Sequence, residues 1–415
     1  MFGTILAREG QGEVRVAARL LEDGRVEVAV QQHGVDGWGE RQLPASRFLP
    51  ADSPVGRWRT SSVVNLVHTE PDSDSQQTAG EPGQATQPEN PAAAAARIST
   101  AENPDFYCLV THEQPGDEAF WNIVRQGAKR YSETSTVQHR VAGVPTAAEQ
   151  SELVRECVED GAVGIAVTLA DPDGLADALA EAQAAGVVIN SFNSGVLDYA
   201  RLGSSRHVAL DETRAGEQAA TLFAENGVDG RLLCVIHERQ NVGLEERCNG
   251  LTQGHDAEVE RFSVAGTGVD DIEGTTAAIR DRLLDAEEEP IAGVLTLNSK
   301  VGLAARDAIL GDDLDVKLAT FDQNSGELQA IIDGEMLFAI DSSPWYQAWF
   351  AMSSLTADVY ARRILIDNYQ LMDPSAIIAN VALRLSPEIF QSDNAREWLE
   401  VSQLIAQINQ NQEGG

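Results

Sequence analysis

The residues best suited to chemistry in this sequence follow short apolar segments that read as β-strands. An aromatic pair, Phe120 and Trp121, comes after one such segment, and polar side chains come after others. The polar residues at segment ends are Asn193, His237, Glu238, Asn298, Asp322 and Ser342. Amides, hydroxyls and carboxylates in such positions donate and accept hydrogen bonds, which suits the binding of a small polar ligand.

The motifs of common catalytic and nucleotide sites are missing. The sequence has no GxxxxGK[ST] phosphate loop, no GxSxG elbow and no HExxH pair, because His237-Glu-Arg-Gln-Asn241 lacks the second histidine. Gly266-Thr-Gly268 precedes a predicted helix without the third glycine of a dinucleotide site. We therefore expect a protein that is not an enzyme, with no catalytic residue, metal or cofactor; a sugar- or nucleotide-processing enzyme is the weaker alternative.

Strands and helices alternate from Asp105 onward, which places these residues at one edge of each sheet. The predicted strands are 106–110, 137–141, 164–168, 187–191, 232–236, 259–262, 293–297, 317–320 and 337–340. The predicted helices are 119–133, 147–160, 173–185, 213–226, 242–253, 270–284, 300–310 and 325–333. The alternation predicts an α/β fold with two doubly wound parallel sheets, which bind ligands beyond the carboxyl ends of their strands.

Residues 1–67 have a different pattern, with apolar residues at every second position. Alternation over Val14–Leu20 and Val26–Val30 around Asp23-Gly24 predicts a hairpin, and we expect a small antiparallel β module. Without amphipathic helices this module does not suit DNA reading. Residues 68–105 are rich in Pro, Ser, Gln, Glu and Ala, which predicts a flexible linker before a domain over 106–415.

Composition excludes several classes of partner. The chain has 415 residues and a formal net charge of −35, which disfavours nucleic acid and anionic lipid surfaces. No apolar run is long enough to insert into a membrane, and no secretory leader is visible at the start. Of the four cysteines, Cys234 ends a predicted strand and Cys248 lies in the next helix, so a disulfide and two buried thiols both remain open.

Four segments carry a family resemblance. The segments are Pro115-Gly-Asp-Glu-Ala-Phe-Trp121, Val187-Val-Ile-Asn-Ser-Phe-Asn-Ser-Gly195, Asn241-Val-Gly-Leu-Glu-Glu-Arg-Cys-Asn-Gly250 and Ala339-Ile-Asp-Ser-Ser-Pro-Trp-Tyr-Gln-Ala348. With these segments, residues 106 to about 400 resemble the sugar-type periplasmic binding proteins, the solute receptors of ABC transporters with the type I two-lobe fold. The N-terminal module lies outside the resemblance.

The resemblance implies a ligand site and its residues. Phe120 and Trp121 would sandwich a sugar ring, whose C–H faces suit aromatic rings. The residues implied to hydrogen-bond the sugar hydroxyls are Asn193, Arg247, Asn298, Asp322 and Ser342, where the family more often has a longer amide at the last position. A second group of candidates is Glu118, His112 and His237.

The resemblance also implies architecture, place and partner. Lobe 1 would comprise about 106–206 and 343–372, and lobe 2 about 207–342 and 373–415, joined by a three-crossing hinge that closes on the ligand. We expect a periplasmic or cell-envelope protein that delivers its ligand to an ABC transporter permease.

Other readings remain open from the sequence alone. The same fold also serves as the sensing domain of signalling systems, so a receptor is the main alternative. For single residues, Asp322 could be a helix cap or turn former, and Arg247 a surface arginine in a salt bridge.

Overall fold

The computed structural model describes residues 2–9, 12–20, 26–34, 37–39, 105–113, 118–129, 136–141, 146–264, 266, 268–285, 290–369 and 381–400. The chain divides into two compact units, Met1–Glu89 and Asn90–Gly415. Among the described residues, no helix combines the length and the apolar character needed to cross a bilayer.

The N-terminal unit contains a four-stranded antiparallel sheet. Its strands are β1 (Phe2–Glu9), β2 (Gly12–Leu20), β3 (Val26–Gly34) and β4 (Gly37–Gly39), in the order β4-β3-β2-β1. The predicted hairpin is confirmed, since β2 and β3 pair antiparallel from Val14↔Gln32 to Leu20↔Val26. The predicted linker, residues 68–105, lies outside the described residues except for Asp105.

The second unit contains two separate sheets. The first is parallel, in the order β15-β9-β8-β7-β5-β6. Its strands are β5 (Phe106–Thr111), β6 (Thr136–Val141), β7 (Gly164–Thr168), β8 (Val188–Phe192), β9 (Arg206–Leu210) and β15 (Val381–Leu385).

The second sheet has the order β11-β10-β12-β13-β14-β16 and is parallel except for β16. Its strands are β10 (Arg231–Ile236), β11 (Val259–Ser263), β12 (Ile291–Thr296), β13 (Lys317–Phe321), β14 (Phe338–Asp341) and β16 (Glu388–Phe390).

Helices alternate with these strands, which confirms the predicted α/β class with two doubly wound sheets. They are α1 (Glu118–Lys129), α2 (Ala147–Glu159), α3 (Pro172–Ala184), α4 (Glu212–Glu225), α5 (Val242–Gly254), α6 (Ile272–Leu284), α7 (Ser299–Gly311), α8 (Ser325–Ile332) and α9 (Pro344–Tyr369). Most N-caps are Asp or Asn close behind a strand, as at Asp211, Asn241 and Asn298, so the chain turns from strand to helix within a few residues.

The chain passes between the two sheets three times: between Leu210 and Glu212, between Asp341 and Pro344, and between Leu385 and Glu388. We use first lobe for residues 105–210 and 344–385, and second lobe for 211–343 and 386–400. The predicted boundaries at 206/207 and 372/373 shift because β9 and β15 belong to the first sheet. Whether the three crossings act as a hinge stays a prediction.

Two disulfides join strands to helices, one in each lobe. Cys234 of β10 is bonded to Cys248 of α5, which settles the alternative that the sequence left open. Cys108 of β5 is bonded to Cys157 of α2, a pairing that the sequence reasoning did not anticipate. All four cysteines are fully buried.

Candidate functional site

The two lobes each place one polar residue directly behind a central strand, in the same backbone conformation. Asn193 follows β8 and Asp322 follows β13, with φ of 68° and 60°. Their N–H groups donate to carbonyls of the neighbouring strands, Val208 at 2.9 Å and Ile340 at 2.8 Å. Asn and Asp tolerate this left-handed conformation better than other residues with side chains, so the strand ends present an amide and a carboxylate.

A chain of hydrogen bonds links these two residues across the lobes. Asn193 donates from Nδ2 to Gln347 Oε1 at 3.2 Å, and Gln347 donates from Nε2 to the Ser342 carbonyl at 2.6 Å. Ser342 Oγ donates to Asp322 Oδ1 at 2.7 Å. All four side chains are buried. The network therefore runs from the first lobe, through a crossing, into the second.

Asp322 is not a helix cap. Helix α8 is capped by Asn324, whose side chain accepts from Gly326 N at 2.8 Å, while Glu327 accepts from Asn324 N in a capping box. Burial raises the pKa of Asp322, and the charge of Arg247 and the hydrogen bonds from Ser342 partly oppose that rise. The carboxylate is thus free of a capping role.

Arg247 is not a surface arginine, because it is 5% exposed and held on three sides. Its Nε and Nη2 donate to Glu212 at 2.6 and 3.2 Å, and its Nη1 donates to the Leu297 carbonyl at 3.3 Å. The guanidinium carbon lies 4.3 Å from the centre of the Phe321 ring. The positive charge of Arg247 also acts on the carboxylate of Asp322, the residue that follows Phe321.

A second set of contacts joins the lobes directly. Ser194 of the first lobe donates to Asn241 Oδ1 at 2.8 Å, and Asn241 Nδ2 lies 3.4 Å from His112 Nε2. The backbone N–H of Val242 donates to the Ala170 carbonyl at 3.0 Å. Through these contacts the two lobes meet above the strand ends, and the polar residues lie between them.

Burial keeps the two candidate histidines neutral. His112 lies 2.6 Å from Thr168 Oγ1 through Nδ1, and desolvation lowers its pKa to about 4. Desolvation, with the positive charge of Arg247, lowers the pKa of His237 to about 3. The described residues contain no group of three or more His, Cys, Asp or Glu arranged to hold a metal ion.

The aromatic pair packs mainly within the first lobe. Trp121 is 2% exposed and belongs to the core beneath α1 and α9. It meets Phe120 at 5.0 Å and 83°, and His112 at 5.0 Å and 84°. Since these rings are perpendicular, a sandwich would need one of them to rotate, and stacking on a sugar stays a prediction. Glu118 begins α1, but its side chain lies outside the described residues.

Asn298 is buried and caps α7, with its Oδ1 accepting from Lys300 N at 2.9 Å. Its preceding residue, Leu297, supplies the carbonyl that holds Arg247. Asn298 therefore lies beside the site with its side-chain oxygen already engaged, so its role as a ligand contact stays a prediction.

Four residues of this region escaped the sequence reasoning: Glu212, Gln347, Ser194 and Asn241. Glu212 follows β9, a strand missed because Arg206-His-Val-Ala-Leu210 is short and begins with two polar residues. Gln347 lies one turn into α9, a helix of 26 residues that was not predicted as a helix. The side-chain amide of Gln347 lies close to Ser342, the position at which the resemblance implies a longer amide.

The comparisons with known proteins agree with this geometry. The family described as periplasmic binding protein domain matches residues 110–359. No curated protein matches the chain at a significant level.

Several solved structures share the fold. A carbohydrate transporter from Acidothermus cellulolyticus 11B, in complex with myo-inositol, is 27% identical with a TM-score of 0.62, over 72% of this chain and 98% of that chain. A periplasmic solute-binding protein of an ABC transporter from Actinobacillus succinogenes 130z, with bound D-allose, is 17% identical (TM-score 0.57; 71% and 99% covered). A sugar-binding protein from Bacillus halodurans is 19% identical (TM-score 0.58; 70% and 99% covered). The family whose model matches is one of binding proteins, which confirms the expectation of binding rather than catalysis.

Proposed function

Because the chain belongs to the periplasmic binding protein domain family, we propose that it captures a small carbohydrate or cyclic polyol between its two lobes for uptake by an ABC transporter. The observation that carries this proposal is the buried network Asn193–Gln347–Ser342–Asp322, which spans both lobes at the carboxyl ends of their strands. That edge is where open parallel sheets bind their ligands.

The chemistry of the network fits a ligand rich in hydroxyl groups. A hydroxyl donates one hydrogen bond and accepts others, so it needs both acceptors and donors around it. Asp322 offers carboxylate oxygens, Arg247 offers N–H donors, and Asn193 offers both. We propose these three as contacts, with Phe120, Trp121 and Asn298 at the periphery of the site.

The class of ligand is supported by the similar structures. The transporter from Acidothermus cellulolyticus holds myo-inositol, and the protein from Actinobacillus succinogenes holds D-allose. Both ligands are six-membered rings with several hydroxyls and no charge. We therefore propose a neutral cyclic polyol or hexose as the first class to test.

We also propose that the protein works outside the cytoplasm, in the cell envelope, with an ABC permease as its partner. The two strand–helix disulfides support this, because such bonds form and persist in oxidising compartments. An affinity-tagged chain that recovers a permease from detergent-solubilised membranes, more strongly with sugar than without, would test the partnership.

A thermal-shift screen with the full chain tests the binding function. Neutral sugars and polyols, among them myo-inositol, D-allose, D-glucose, D-galactose and D-arabinose, are compared with amino acids at equal concentration. A sugar that binds only the folded state stabilises it by about 2.7 kcal/mol at one hundred times its dissociation constant. No shift with any sugar, or a shift only with amino acids, would contradict the proposal.

A further inference from the structure

The charge of the site depends on one buried cation. In the described part of the chain, the buried cationic side chains are Arg247 and Arg363. Arg363 pairs with Asp105 at 2.7 Å, at the start of β5 and away from the strand ends. Arg247 is therefore the buried positive charge that the site can offer to a ligand.

Described residues already accept hydrogen bonds from three of the five N–H groups of Arg247. Glu212 takes Nε–H and one Nη2–H, and the Leu297 carbonyl takes one Nη1–H. One N–H remains on Nη1 and one on Nη2. These two donors can serve hydroxyl oxygens of a ligand, while the positive charge is already matched by the Glu212 carboxylate.

The backbones of both partners are fixed by close helix packing. A Cβ on Gly250 would lie 1.8 Å from the Thr213 carbonyl oxygen, and a Cβ on Gly216 would lie 2.1 Å from the Arg247 carbonyl oxygen. Helices α4 and α5 thus touch backbone to backbone where Glu212 and Arg247 meet. The helix packing therefore fixes the backbone positions from which the two side chains reach each other.

The surroundings of the pair are acidic. Besides Glu212, the carboxylates of Asp322 and Glu238 act on Arg247, while His112 and His237 are neutral at pH 7. One cation therefore faces three carboxylates. An anionic group on a ligand would lose its hydration and meet this negative surplus, which is costly in a buried site.

We infer that Glu212 sets the charge selectivity of the site: by neutralising Arg247 it lets the guanidinium bind uncharged hydroxyls and denies it to carboxylated or phosphorylated sugars. The inference rests on the proposed function and adds a specificity-determining residue to it. Glu212 acts through Arg247 and is a positioning residue.

Matched pairs of probes test this inference by calorimetry on the full chain. The pairs are D-glucose with D-glucuronate, D-galactose with D-galacturonate, and myo-inositol with myo-inositol 1-phosphate. For the pair whose neutral member binds, wild type prefers that member by about a hundredfold or more. Glu212→Gln keeps the shape and one hydrogen bond while removing the charge.

A second ion pair, with a buried carboxylate and a half-buried arginine, supplies the control. Asp358 of α9 is 2% exposed and accepts from Arg206 Nε at 2.9 Å. Asp358→Asn removes one buried negative charge and weakens one ion pair, as Glu212→Gln does, but within the first lobe. Since the whole chain is strongly acidic, only the difference between the two variants reports the local effect.

Glu212→Gln is expected to strengthen binding of the anionic member by about tenfold or more relative to the neutral member, and Asp358→Asn to leave the ratio unchanged. Equal losses for both members would show that Glu212 only positions Arg247, and would overturn the inference. Wild type binding both members alike would also overturn it, even if Glu212→Gln failed to fold. Wild type binding no neutral sugar in the wider screen would overturn the proposed function and this inference with it.

Discussion

Loss of the Asp322 carboxylate should weaken ligand binding strongly and destabilise the folded protein little. In Asp322→Asn the ligand loses a charged acceptor in a buried site, and we expect affinity to fall by about 2 to 5 kcal/mol. The folded state loses little, because burial already disfavours the charged carboxylate.

Asp315→Asn is the matched control for that variant. Asp315 precedes the same strand β13, is exposed and pairs with Lys317. Calorimetry with the sugar found in the screen should show wild-type affinity for this control. Normal binding by Asp322→Asn would remove Asp322 from the site.

Trp121 lies in the hydrophobic core of the first lobe, and its fluorescence should respond to sugar binding. Because it is almost fully buried, Trp121→Ala should cost about 3 to 5 kcal/mol of stability, whereas Trp121→Phe keeps most of the packing. We expect Trp121→Phe to abolish the sugar-dependent change in tryptophan fluorescence. Trp398→Phe, in the second lobe beside Phe390, should retain it. An unchanged signal in Trp121→Phe would leave Trp121 with packing alone.

Glu246 should make the stability of the folded protein depend on pH. Burial, then the nearby charge of Glu212, raises the pKa of Glu246 from 4.5 to about 7. A raised carboxyl pKa means that the folded state holds the proton more tightly than the unfolded state. The contribution of Glu246 to the free energy of unfolding is therefore full below pH 4.5 and is lost as the pH rises through about 7.

Glu246→Gln should therefore stabilise the protein by roughly 1 to 2 kcal/mol near pH 8 and change little near pH 4.5, as seen by denaturant unfolding. Glu245→Gln, which removes the same charge from a half-buried position of α5 near Arg261, should give no such pH-dependent gain. A gain of Glu246→Gln that did not grow with pH would contradict the assignment.

Both disulfides should stabilise the fold, but only one of them should also affect ligand binding. Cys234–Cys248 closes a loop with a sequence separation of 14 and Cys108–Cys157 one of 49. Replacing each pair by alanines should cost about 3 and about 4 kcal/mol of stability. Only the first pair holds α5, which carries Arg247 next to Cys248.

We expect loss of Cys234–Cys248 to lower sugar affinity as well, and loss of Cys108–Cys157 to leave it near that of wild type. Calorimetry well below both melting temperatures makes the comparison. Equal affinities in the two variants would show that helix packing alone holds Arg247.

The regular alternation of strands and helices could be predicted from the sequence, whereas elements without the usual apolar pattern were missed. Strands such as β7 and β12 are mostly apolar runs that the sequence predicts, and the ends of β8 and β13 place Asn193 and Asp322 directly behind a strand, as predicted. Strand β9 begins with Arg206-His207 and lacks that signature, so Glu212 behind it was missed. The Arg247–Glu212 pair depends on the contact of α4 with α5, which no local pattern encodes.

In the molecule as a whole, we propose that the two lobes close over the ligand. Gly243 and Ser194 face each other across the lobes, and a Cβ on Gly243 would lie 3.2 Å from the Ser194 Cβ. This is near the separation of disulfide-bonded residues, so Ser194→Cys with Gly243→Cys should form a bond that locks the lobes together.

The exchange of sugar by this double variant tests whether the two lobes capture the ligand between them. Mass spectrometry first establishes the new bond, and uptake and release of labelled sugar are then followed before and after mild reduction. We predict that the oxidised protein neither takes up sugar nor releases sugar trapped in it, and that reduction restores exchange. Exchange by the fully oxidised protein at the rate of the reduced protein would contradict capture between the lobes.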